Sequence, residues 1–276
     1  MARLICVTNN KGGVGKTNMS VNLASFLAAY GKKVLLVDFD NQANATFSVG
    51  INPANLSLSV YHALMGAIAP EAVIKKTSIL GLDIMPASAD LAGAPVELIS
   101  EKGREYKLAR LLEKVEDNYD FILIDTPPSL GLLTINALCA ADEVLIPIQA
   151  EYLAVEGLNQ LTDTIGLIEE NLGHKFKFVG GVLTMYNRGS LVSRDVENKV
   201  RKCFGGYIFQ TTIPRSTILG QAPKYGKSII QFAPESKAAF SYKVLAQEFI
   251  NIDFDKVNSN SANIQDPNYE RKTTIC

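Results

Sequence analysis

No apolar run in the 276 residues approaches the roughly 18 to 20 that a membrane-spanning helix needs. Nor does the chain open on a basic segment, a hydrophobic region and a cleavage site; residues 1–10 read as the beginning of an apolar strand. These two absences point to a soluble, cytoplasmic protein. Cysteine is scarce as well: Cys6, Cys139, Cys203 and Cys276 stand far apart with no C-x-x-C pair, which argues against a disulfide framework and against a zinc site. Only 11 prolines interrupt a composition that is 47% hydrophobic and 20% charged, enough material for one large core or two small ones. Net charge is −1, which by itself argues against a general nucleic-acid binder. The charge is uneven, however. Residues 175–243 hold 12 Lys or Arg against 3 Asp or Glu, and the remainder holds 15 against 25. The C-terminal third is therefore a candidate for contact with a polyanion, the alternative being charge scattered over several faces.

Short apolar runs recur at residues 4–8, 34–37, 84–86, 121–124, 144–148 and 179–183. Continuous apolar strands of this kind belong to a parallel sheet covered on both faces. Between them, helical spacing is expected over residues 20–30, 107–116, 132–140, 155–171, 192–203 and 234–250. Strand and helix alternate from end to end, so the expected class is α/β, a single-domain doubly wound, mostly parallel sheet with helices on both faces. With no linker or repeat before it, residues 1–254 are read as one domain. Residues 255–276, rich in Asn, Ser, Asp and Lys, are read as a polar, flexible tail.

Lys11-Gly12-Gly13-Val14-Gly15-Lys16-Thr17 stands between a strand and a helix, the context in which a glycine-rich loop holds phosphate. Glycines let the backbone curl with its N–H groups turned toward phosphate oxygens, and the following helix adds its positive N-terminal end. Lys16 is placed to reach the β and γ phosphates, and the Thr17 hydroxyl to meet Mg²⁺. Residues 11–18, through Asn18, form the expected ATP-binding loop. Phe121-Ile122-Leu123-Ile124-Asp125 is four apolar residues ending in an acid, the Walker B arrangement. It delivers Asp125 to the metal through a coordinated water, because Mg²⁺ commonly keeps several waters.

A lysine opening the loop makes K-G-G-V-G-K-T resemble the deviant Walker A box of the ParA/MinD family of ATPases. The resemblance implies that Lys11 reaches across a homodimer interface to the partner's ATP, adding a cation that stabilises transition-state charge as an arginine finger does. Val34-Leu35-Leu36-Val37-Asp38-Phe39-Asp40-Asn41-Gln42-Ala43-Asn44-Ala45-Thr46 is similar to the family's second acidic motif. It implies that Asp40 orients the attacking water and that Asp38 belongs to the metal and water network. The C-terminal part, Thr184-Met185-Tyr186-Asn187 and Ile213-Pro214-Arg215, then Ala222-Pro223 and Tyr225-Gly226-Lys227, looks most like the short Soj-like ParA proteins. In those proteins the first two segments lie around the adenine, so Asn187 and Pro214 become site residues. The chain departs from the family pattern at Asn41, where Pro is usual, at Asn18, where Thr is usual, and after Arg215, where a further arginine is common.

Residues 251–276 make no basic amphipathic helix of the kind that anchors MinD-type proteins, so membrane binding is not expected. Cys139 alone cannot hold a bridging cluster, and a loop beginning at residue 11 leaves no room before it for a helix-turn-helix. The resemblance thus implies an ATPase whose ATP dimer binds DNA nonspecifically and positions a cargo such as a plasmid, a chromosome region or a protein body. A ParB-like or other cargo adaptor would stimulate hydrolysis, and the protein would be nucleoid-associated. Candidate phosphate contacts are Arg188, Lys199, Arg201, Lys202, Arg215, Lys224 and Lys227. The alternative is a nucleotide-gated protein scaffold or regulator that does not touch DNA.

Overall fold

The computed structural model describes residues 1–152 and 154–252; the expected tail, residues 255–276, lies outside them. Eight strands, β1 (Arg3–Val7), β2 (Val34–Asp38), β3 (Lys75–Lys76), β4 (Leu82–Met85), β5 (Phe121–Asp125), β6 (Glu143–Gln149), β7 (Phe178–Thr184) and β8 (Tyr207–Ile208), form one sheet. The order is β3-β4-β2-β5-β1-β6-β7-β8. Every neighbouring pair is parallel except β3 with β4. The two-residue strands β3 and β8 are too short for any periodicity to announce them.

Strands β2 and β5 are buried at every residue, which is why they read as unbroken apolar runs. Burial on both faces sorts their side chains by alternation. Ile5, Val7, Leu36 and Leu123 enter one core with α1 (Lys16–Ala29) and the helix Lys237–Ile250. Cys6, Leu35, Val37, Ile122 and Ile124 enter the other, beneath the helices Leu132–Ala140 and Ala154–Leu172. Helix α1 is covered nearly all round, from Met19 to Ala28, because the sheet lies on one side and the helix Lys237–Ile250 on the other. A largely apolar circumference is what a helix enclosed on all sides requires, and the buried Ser20, Asn22 and Ser25 each find a hydrogen-bond acceptor.

The chain leaves β1 and returns in β2 beyond β5, then passes from β5 across β1 to β6. Strand order therefore reverses around β1, and the crevice outside the carboxyl ends of β1, β2 and β5 is where open α/β sheets bind ligands. The expected helix at 234–250 begins at Lys237, where the Ser236 side chain accepts from Ala239 N–H and caps it. Short helices at Asn44–Ser48, Val60–Leu64, Pro70–Val73 and Ala94–Glu97 were not expected from spacing, each being about one turn.

Candidate active site

Residues 11–18 join the end of β1 to the start of α1. Gly13 and Gly15 have φ values of 76° and 95°, a region costly for residues with a Cβ. Gly15 caps α1 without a side-chain hydrogen bond, so the first N–H groups of a 14-residue helix point into the loop, a ready site for an anion. Two bonds pin the loop: Thr184 Oγ1 at the end of β7 donates to the Val14 carbonyl at 2.8 Å, and Lys11 N–H donates to Asn9 Oδ1 at 2.9 Å.

Lys16 is only 7% exposed. Its Nζ donates to the Lys11 carbonyl at 3.2 Å and, among the described residues, makes no ion pair. Burial pushes its pKa down, and the fields of Asp125 and Asp40 partly restore it. A buried cation without a direct counter-ion asks for an anion. Lys11 is half-buried at the mouth of the loop. Among the described residues its ammonium has no hydrogen-bond or ion-pair partner.

Three acids lie at the strand ends. Asp125 is fully buried and accepts from Thr17 Oγ1 and from Ser20 Oγ, each at 2.8 Å. Burial, then the neighbouring Asp38 charge, raises its pKa to about 7. Asp38 stands opposite Asp125 in the β2–β5 register. Its Oδ2 accepts from Thr46 N–H at 2.7 Å and from Thr46 Oγ1 at 2.6 Å, and burial raises its pKa to about 6. Asp38 is thus held mainly by the second acidic motif itself, through a threonine whose hydroxyl also accepts from Ala87 N–H at 3.0 Å. Asp40 is 4% exposed and accepts from Gln42 N–H at 3.0 Å.

No group of three or more His, Cys, Asp or Glu that could hold a metal occurs among the described residues. A hydroxyl and carboxylates with room for phosphate are instead a hard-oxygen donor set that fits Mg²⁺ arriving with a nucleotide and keeping waters. Beside the loop opens a cavity of about 340 Å³ lined by Val14, Asn18, Met185, Pro214, Leu219 and Tyr242 among others. It is mainly apolar with polar edges, the character of a base pocket. Pro214 is one of those lining residues. Asn187 is not: its exposed side chain turns back, Oδ1 accepting from Gly189 N–H at 3.0 Å in a local turn, and it does not line the cavity. Met185, at φ 51°, takes the wall position instead.

The basic candidates divide. Arg201 is turned inward: it pairs with Glu197 at 3.0 Å and donates to the Ile208 and Phe209 carbonyls at 3.2 and 3.1 Å. It covers the edge of β8 rather than standing in solvent. Lys199 pairs with Asp195 at 3.0 Å and Arg215 with Glu151 at 2.8 Å, both near the surface, where such pairs are weak. Arg188, Lys202, Lys224 and Lys227 are exposed. Ser20 and Tyr242 are given no role by the sequence, and Thr46 and Thr184 stand in its motifs without one. Ser20 alone carried a signal, a polar residue three past Thr17 on a helix otherwise apolar at that face.

Residues 2–178 match the family described as "AAA domain". The chain is 47% identical over 248 residues to the sporulation initiation inhibitor protein Soj of Bacillus subtilis, covering 90% of this chain and 98% of that one. It is 42% identical over 256 residues to the chromosome partitioning protein ParA of Myxococcus xanthus, covering 93% and 90%. It also resembles a solved structure from Mycobacterium smegmatis, named cobyrinic acid a,c-diamide synthase, with bound ADP and magnesium. There the identity is 35% and the TM-score 0.79, with 91% of this chain and 94% of that one covered. The same M. smegmatis protein has also been solved with an ATP analog and magnesium. No helix among the described residues is long and apolar enough to cross a membrane.

Proposed function

The chain belongs to the ParA/MinD family of ATPases, in its Soj-like branch, and on that premise we propose that ATP switches it from a monomer to a dimer that binds DNA and positions a cargo. It is a ParA-type ATPase, with ATP as substrate and Mg²⁺ as cofactor. In the proposed site the N–H groups of residues 12–17 and the Lys16 ammonium hold the β and γ phosphates. Thr17 would hold the magnesium directly and Asp125 through water, and the metal would supply charge neutralisation for the phosphates. Asp40 orients the water, and Asp38 fixes the strand end beside it; positioning accounts for both roles better than proton abstraction does. Pro214, Met185 and Tyr242 enclose the base.

The observation that carries the dimer is Lys11, whose ammonium stands beside the phosphate loop without a partner among the described residues. A cation left so, next to a loop already served by Lys16, is placed to meet a triphosphate facing it from a second copy. Lys224, Lys227, Lys202 and Arg188 supply exposed charge for DNA phosphates. Arg201 drops out of that set, and Lys199 and Arg215 would have to exchange a surface carboxylate for a phosphate. A ParB-like or other adaptor on the cargo would then speed hydrolysis and release the complex.

Sizing and DNA retention measured side by side with ATP, with ADP and without nucleotide test this reading. The expected result is DNA binding only with ATP, at similar affinity for unrelated sequences and falling steeply with salt. Dimer formation with ATP but no DNA retention would favour the nucleotide-gated scaffold, a reading to which the three engaged cations lend weight.

A further inference from the structure

We infer that Ser20 is a positioning residue for the magnesium site, holding the carboxylate plane of Asp125 so that its other oxygen faces Thr17 and the metal. The inference rests on the assignment of Thr17 and Asp125 to that metal. Ser20 sits one turn beyond Thr17 on α1 and is fully buried. Its Oγ lies 2.8 Å from Asp125 Oδ1 and 3.1 Å from the Lys16 carbonyl. A hydroxyl has one proton to give, and the shorter, charged acceptor takes it when Asp125 is ionised. Thr17 meanwhile takes Oδ2 at 2.8 Å. Both oxygens of one carboxylate are thus fixed by hydroxyls on the same helix, three residues apart, on the face that follows the phosphate loop.

This arrangement differs from ordinary satisfaction of a buried acid. One donor would meet the need for a partner, but it would leave the carboxylate free to rotate about its Cβ–Cγ bond. The second donor removes that rotation. Thr17 could then offer a lone pair to the metal while its O–H still donates to Asp125 Oδ2, and the acid's orientation would survive the change because Ser20 still holds Oδ1. Outer partners of this kind commonly set metal affinity.

The test is the binding of a fluorescent ADP analogue to the full chain, titrated with Mg²⁺ and compared with binding in EDTA. For Ser20→Ala the Mg²⁺ concentration that gives half-maximal tightening should rise by about tenfold, while affinity in EDTA stays within about twofold. Ser25→Ala is the control, since Ser25 is equally buried on α1 but donates to the Val21 carbonyl; its Mg²⁺ dependence should not move. If Ser20→Ala fails to fold, Ser20→Cys keeps the size with a weaker donor, and a smaller shift in the same direction is expected. An unchanged Mg²⁺ dependence in the folded Ser20 variant, or an equal loss of affinity with and without Mg²⁺, overturns the inference. Asp125→Asn separates the two layers: if it too leaves the Mg²⁺ dependence unchanged, the assignment of Asp125 is wrong, and if it alone shifts it, only the role of Ser20 is.

Discussion

A lysine that is 7% exposed and, among the described residues, bonded only to a backbone carbonyl is a costly placement that a phosphate would relieve. Lys16→Ala should therefore weaken ATP binding by about 3 kcal/mol or more, roughly a hundredfold, the scale of losing one side of a buried charge pair. Calorimetry on the purified variant reads it directly, and affinity within a few fold of wild type would contradict the role. The acids make a different prediction. In the unfolded chain Asp38 and Asp125 ionise near 3.8, and folding raises them to about 6 and about 7. The folded state then holds more protons than the unfolded one between those values. Their contribution to stability is intact below pH ~4 and is lost as pH rises toward ~7. Thermal unfolding without nucleotide should show this decline, and Asp125→Asn should flatten it; an equal slope in the variant would exclude Asp125 as the cause. Thr46 links Asp38 to the segment that follows β4. Thr46→Val removes a donor from Asp38 and leaves Ala87 N–H without its acceptor, which should cost about 2–3 kcal/mol in urea denaturation.

The elements explain what could be foreseen and what could not. Buried parallel strands announce themselves because both faces demand apolar side chains, so β2 and β5, and the acids that end them, were legible from residues 34–40 and 121–125. The phosphate loop was legible for a similar reason, its chemistry being local to residues 11–17. The cavity beside the loop was only partly so. Its walls come from four separate stretches that include Val14 and Asn18, Met185, Pro214 and Leu219, and Tyr242, and no spacing rule connects Tyr242 to a loop more than 200 positions earlier. Asn187 misled because a strand-end asparagine serves a turn as readily as a ligand. Arg201 misled because charge counted along the sequence does not say that an arginine folds back onto the edge strand that follows its own helix. The short helix Asn44–Ser48 adds a case of local strain: Ala43 begins it at φ 52°. A left-handed alanine costs about 1–2 kcal/mol, and glycine's extra unfolded-state freedom returns about 0.5–1 of that. Ala43→Gly should accordingly stabilise the protein by about 0.5–1 kcal/mol, seen as a raised unfolding midpoint; a lowered midpoint would show that the alanine methyl packs usefully.

For the whole molecule, one sheet brings the glycine-rich loop, three acids and a mainly apolar cavity to its carboxyl edge, with Lys11 at the rim. Among the described residues that lysine has no charged partner, whereas in a face-to-face pair each copy would supply the charge its neighbour's triphosphate needs. The most direct test is the molar mass in solution, by light scattering, of wild type and Lys11→Ala with Mg²⁺ and a non-hydrolysable ATP analogue. Wild type should have twice the mass of one chain, and Lys11→Ala the mass of one chain with nucleotide still bound. Equal dimers in both proteins, or a single-chain mass for wild type, would contradict the account.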